Sequence, residues 1–209
     1  MKKIMFNDHY GLTQAVLEGR KTMTRRIISY PKKFHGKDVC GFYVYRRKVD
    51  AAITDVCMYD EEEIPIDEGQ ILPKYKIGEE VAVAQSYRDC GGLIEAGVPR
   101  WDVICQTVGA TNAGWNNKMF VKPELMPHRI RITGIGVERL QDISDEDCLR
   151  EGVQVLPEIS RYYFERTGCE GFYFYTSREA FASLIDKVSG RGTWKSNPWV
   201  FVYEFELLK

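Results

Sequence analysis

The chain has 209 residues, room for one large domain, with 44% hydrophobic and 28% charged residues, the balance of an ordinary globular protein. A net charge of −1 excludes a polycation that binds nucleic acid through a global field, so any such affinity needs a local patch. No apolar run is long enough to span a bilayer, and the start Met1-Lys2-Lys3-Ile4-Met5-Phe6-Asn7-Asp8 lacks the apolar core and cleavage site of a signal peptide, so a cytoplasmic location without membrane contact is expected. No two of the six cysteines are separated by only two residues, and the three histidines lie far apart. Reduced thiols and no metal or other cofactor are therefore expected.

In chain order, residues 13–18 read as a short helix stopped by Gly19, a residue suited to the left-handed position after a helix. The run Gly19-Arg20-Lys21-Thr22-Met23-Thr24-Arg25-Arg26 follows, with four cations and no acid from Arg20 to Arg26. It marks a place for a bound phosphate, carboxylate or nucleotide. Residues 41–45 and 51–56 read as a hairpin, and the acidic run 60–63 as a solvated loop. Residues 81–84 and 103–105 are short strand candidates, and the polar, glycine-rich stretch 88–118 reads as a loop insertion.

Arg129-Ile130-Arg131-Ile132-Thr133 alternates as a half-exposed strand does. Residues 144–151 form a helix with Ser144 as N-cap, an acidic first turn and Gly152 as stop. Residues 177–188 form another, with Ser177 as cap and Phe181, Leu184, Ile185 and Val188 on one face. Asn197-Pro198 turns into the almost wholly apolar strand 199–207, expected to be central. Many short strands with a few peripheral helices imply an α+β fold built as a small mixed barrel. No linker is apparent, so residues 1–209 are expected as one domain with insertions near 30–70 and 88–120.

Four segments in order resemble the ASCH domains, relatives of the PUA RNA-binding fold, and specifically their longer prophage-type members. They are the helix-Gly-Arg-Lys-Thr-x-Thr run at 19–24, then Tyr75-Lys76-Ile77-Gly78-Glu79-Glu80-Val81, then Met126-Pro127-His128-Arg129-Ile130 continuing to Glu151-Gly152, and last Asn197-Pro198-Trp199 through Phe205. The resemblance implies a PUA-like barrel. It also implies, for the members that are enzymes, a lysine, a threonine and a glutamate that remove the acetyl group from cytidine acetylated on its exocyclic amine. By position these are Lys21, Thr24 and Glu151. The chemistry suits the residue types: a threonine hydroxyl needs a base beside it, and burial or neighbouring cations lower a lysine pKa. In a regular strand over 20–26, Lys21 and Thr24 would face opposite ways, so a shared site requires a turn or bulge near Thr22 or Met23.

The chain departs from the family pattern at Ala82, Ala84 and Gln85, where a tryptophan and an Arg-Glu pair are usual, and at His128. Trp194, Trp199, Tyr203 and Tyr87 are candidates to stack on a base. Trp194 and Lys195, in a polar glycine-rich approach, and Asn197 are the better placed for ligand contact; packing and turn formation account for the rest.

The expected task is binding of RNA or a modified nucleoside in a basic cleft. Arg20, Lys21, Thr24, Arg25, Arg26 and Glu151 would line it, with Trp194 and Asn197 at its margin. The rival is an amidohydrolase with Thr24 as nucleophile and Lys21 as base, and a ribonuclease is the third reading. Contact between Lys21 and Thr24 in a closed cavity favours hydrolysis; an open basic groove favours binding.

Overall fold

The computed structural model describes residues 1–46, 54–91, 112–165 and 172–208. Its strands in chain order are β1 (Lys2–Ile4), β2 (Met23–Ile27), β3 (Lys33–Phe34), β4 (Lys37–Asp38), β5 (Gly41–Arg46), β6 (Thr54–Tyr59), β7 (Pro65–Gln70), β8 (Glu80–Val83), β9 (Arg129–Arg139), β10 (Gln154–Leu156), β11 (Arg161–Tyr163) and β12 (Trp199–Leu208). The fold is α+β, mostly strand with short helices. The main sheet runs β1-β8-β9-β12-β2, parallel between β1 and β8 and antiparallel elsewhere. The apolar strand β12 is interior, flanked by β9 and β2, and β9 is the middle strand.

Alternation sorts the side chains of β12 onto two layers. Phe201, Tyr203 and Phe205 face a core with Ile4, Phe6, Leu12, Val81, Ile130, Ile132 and Leu184. Val200 and Val202, with Met23 of β2, face a second core with Leu140, Ile143, Cys148, Phe181 and Ile185. The helix Ser177–Ser189 packs between the two layers through Leu184 and Phe181.

Backbone pairing among the described residues runs from β1 to β2 and does not join these two strands, so the ladder stays open and the expected closed barrel is not formed by it. The sheet is nevertheless strongly curved. In a flat five-stranded sheet the edge strands would lie about 19 Å apart, beyond the reach of one arginine. Here Nη2 of Arg26 in β2 donates to the carbonyl oxygen of Met5, just past β1, at 2.7 Å. A side chain spans the seam where a ladder would close a barrel.

The hairpin expected from 41–56 is β5 against β6. β7 adds a third strand, with a small core of Val39, Met58 and Ile66. The strand expected at 103–105 lies outside the described residues. The helix 177–189 is capped by Thr176, not Ser177. Thr176 accepts from the Glu179 amide at 3.1 Å, and the Glu179 carboxylate accepts from the Thr176 amide at 3.3 Å. This reciprocal box frees Ser177 to donate to Asp145 of the neighbouring helix. Val188, expected on the buried face, is 37% exposed.

Candidate functional site

Gly19 adopts φ 74°, the left-handed conformation that ends the helix Leu12–Leu17. The Lys21 amide then donates to Ala15 O at 2.9 Å, and the Thr22 amide to Arg150 O at 3.0 Å. Regular β2 pairing begins only at Met23, opposite Glu204. Lys21 therefore belongs to the turn and escapes the alternation of the strand. This is the irregularity that a shared Lys21–Thr24 site requires, and both residues line one cavity.

Glu151 reaches the same place from the C-cap of the helix Asp145–Arg150, whose N-cap Ser144 accepts from the Asp147 amide. The next residue, Gly152, has φ 109°. A Cβ there would lie 3.0 Å from Leu12 and 3.8 Å from Lys21 Cδ, so glycine lets the helix end lie against the lysine stem. Nζ of Lys21 sits 2.6 Å from the Glu151 carbonyl oxygen and 2.6 Å from its Oε2, with the lysine side chain 2% exposed.

Arg25 completes a buried charge network. It reaches Glu138 Oε1 at 2.7 Å, Asp147 Oδ2 at 3.0 Å and Glu151 Oε1 at 3.2 Å, and its side chain is 1% exposed. Burial alone would lower its pKa. The charges of Glu151 and Glu138 and the hydrogen bonds to Glu138 and Asp147 outweigh burial and hold it above its ordinary value. Lys21 moves the other way. Burial pushes its amine below the ordinary lysine value and the charges of Arg26 and Arg25 add to this, against the opposing pull of Glu151. The Thr24 hydroxyl, on a 5% exposed residue, makes no hydrogen bond to another described residue.

The cavity has a volume of about 680 Å³. Residues 5–9 form one wall, β2 another, and Phe181, Leu184 and Ile185 an apolar third. The Phe6 ring lies under two cations, 5.7 Å from Lys21 Nζ and 5.7 Å from Arg26 Cζ. Lys118 enters from the far side, paired with Asp8 at 2.7 Å. Lys21, Arg25 and Lys118 are thus all neutralised by carboxylates. Arg26 lines the cavity with no carboxylate partner among the described residues.

The other expected contacts lie elsewhere. Arg20 pairs with Glu18 at 2.6 Å and Glu165 at 3.2 Å and is not in the cavity wall. Trp194 stacks edge-on against Phe181 with Arg178 over its face, one layer behind the wall. Asn197 adopts φ 46° and accepts from the Gln141 amide at 2.8 Å, a turn role. Tyr87 and Trp199 are packing residues, the first accepting from the Lys122 amide and the second lying under Arg139. Ala82 and Ala84 pack with Tyr87, Cys90 and Met126, away from the cavity. Nearby Gln85 Oε1, and separately His128 Nε2, are buried without a hydrogen-bond partner among the described residues.

Sequence reasoning missed Asp8, Lys118, Glu138 and Asp147. The last two sat in view as acids on expected elements; Lys118 lies in the stretch read as an insertion. No family model, no curated protein and no solved structure matches the chain.

Proposed function

We propose that the cavity binds a modified, uncharged nucleoside and hydrolyses an acyl group from its exocyclic amine. One observation carries this: a buried lysine with a lowered pKa, fixed by a glutamate, lines the same cavity as a threonine whose hydroxyl has no hydrogen-bond partner among the described residues. The paired charges of the wall favour a neutral polar ligand over a naked anion. The volume lies within the range typical of small-molecule sites.

The chemistry balances. Neutral Lys21 takes the Thr24 proton as Oγ attacks the acyl carbon, and the resulting ammonium is stabilised by the Glu151 carboxylate. The ammonium returns that proton to the departing amine as the C–N bond breaks, leaving an ester on Thr24. Water, deprotonated by Lys21, cleaves the ester and restores the hydroxyl. Incubation with cytidine acetylated on its exocyclic amine tests this reading. Release of acetate and cytidine, abolished in Thr24→Ala and Lys21→Met, is expected; turnover that survives either change defeats it.

Binding of RNA or a modified nucleoside without turnover is the second reading. The guanidinium of Arg26, which has no carboxylate partner among the described residues, is the observation that favours it.

A further inference from the structure

A second cavity, of about 300 Å³, lies beyond the Arg26–Met5 contact. The two share Met5, Arg26 and Ile27, so they follow one another along the open seam between β1 and β2. Their charge differs in kind. Lys3, Arg26 and Lys74 border the second cavity and no carboxylate does. Lys3 Nζ donates to the carbonyl oxygens of Met119 at 2.7 Å, Val121 at 2.8 Å and Lys118 at 3.5 Å, and Arg26 to that of Met5. Lys74 Nζ lies 5.5 Å from the centre of the Tyr75 ring. None of the three is paired with an acid among the described residues. Burial, then the charge of Lys74, holds the Lys3 amine below its ordinary value, so the cations act on one another.

Two buried tyrosines fix this arrangement. The Tyr75 hydroxyl donates to Lys3 O at 3.0 Å, and the Lys74 amide donates to the Tyr203 hydroxyl at 2.9 Å. Tyr75 and Tyr203 are 3% and 1% exposed and pack edge to face. The backbone that carries Lys3 and Lys74 is therefore held before any ligand arrives, which reduces the ordering cost of binding. Ile27 and Leu72, both exposed, form an apolar rim.

We propose that the second cavity is an anion subsite for a phosphate ester carried by the nucleoside in the first cavity, with Arg26 as the shared wall, Lys74 as the phosphate ligand and Lys3 adding its charge from behind. This rests on the reading of the first cavity as a nucleoside site. An un-neutralised triad beside a neutralised pocket matches a ligand that is neutral at its base and negative one ribose away. The apolar rim suits the sugar or a neighbouring base.

The test is binding, independent of turnover. Wild type and Lys74→Glu are titrated calorimetrically with cytidine, its 5′- and 3′-monophosphates, and a short single-stranded oligoribonucleotide, at low and high salt. A phosphorylated form is expected to bind wild type about tenfold tighter than cytidine, the scale of one charge-assisted hydrogen bond. That advantage is expected to shrink with salt and vanish in Lys74→Glu. Equal binding of the monophosphate and the oligonucleotide assigns the subsite to a terminal phosphate; tighter binding of the oligonucleotide assigns it to an RNA backbone. Equal affinity for cytidine and all its phosphorylated forms, an advantage retained in Lys74→Glu, or no binding of any of them overturns the proposal. Absence of deacylation with the phosphate preference intact defeats only the hydrolytic reading.

Discussion

Nζ of Lys21 lies 2.6 Å from both the main-chain oxygen and the carboxylate Oε2 of Glu151, a residue 130 positions later. The helix end and the turn after Gly19 are thereby tied at a point with almost no solvent. Glu151 answers two cations there, Lys21 through one oxygen and Arg25 through the other.

Removing that carboxylate takes from Lys21 its carboxylate partner and from Arg25 one of three. Glu151→Ala is expected to cost about 3–5 kcal/mol of stability, the range for breaking a buried pair. The double change Lys21→Met with Glu151→Leu is expected to cost much less than the two single changes summed. Urea unfolding of the three variants checks this, and additive costs would contradict a coupled pair.

Arg25 is expected to behave as a framework residue. Its replacement by alanine takes this cation from Glu138, Asp147 and Glu151, of which Asp147 keeps Arg150 and Glu151 keeps Lys21, with a loss of about 3–5 kcal/mol. Arg26→Ala is expected to leave the unfolding midpoint nearly unchanged, because its guanidinium makes one hydrogen bond, to the Met5 carbonyl, and strands no acid when removed. Parallel denaturation curves that rank the two variants the other way would contradict the network.

On the hydrolytic reading, with Lys21 acting as the neutral amine, turnover should rise with pH to a plateau whose midpoint burial sets below the ordinary lysine value. Glu151 opposes that lowering. Glu151→Gln, which keeps the shape, should therefore move the midpoint of kcat/KM to lower pH. A midpoint that stays in place would remove Glu151 from the proton balance. Thr24→Ser should retain part of the turnover that Thr24→Ala loses, with affinity for product unchanged in both.

Stability is expected to fall above about pH 9. Burial pushes the Cys90 thiol up to about 12, the Tyr75 hydroxyl up to about 12 and the Cys148 thiol up to about 11. These groups stay neutral in the fold and ionise sooner in the unfolded chain. Their contribution is complete below the unfolded values and is lost as pH rises through the folded ones. Denaturant midpoints from about pH 8 to about pH 11 check this, and Cys90→Ala should flatten the decline.

The elements with local punctuation were legible. Gly19 stops a helix, Ser144 caps one, and the apolar run at 199–207 lies inside the main sheet. The Thr176 cap was legible too, in the Glu179 three positions on, but the nearer serine drew the assignment. The cation run told less. It did not distinguish Arg25, buried among three acids, from Arg26, which borders two cavities. Strand alternation held the answer: Arg25 shares the Met23 face, which points to the second core. The wall from residues 5–9 and the entry of Lys118 follow from tertiary curvature, which leaves no mark in either segment.

β2 is also an edge strand, and edges invite pairing with another chain. Its sequence, Met-Thr-Arg-Arg-Ile, places Arg25 on the face of the second core and Arg26 on the opposite, cavity face. Charges in both positions are standard deterrents to edge-to-edge addition. Among the described residues no further strand pairs with β2, and the two arginines that frame the cavity are charges of the kind that discourage addition at such an edge. A chain with apolar residues at both positions would lose the charge of its cavity wall and present an edge better suited to self-association.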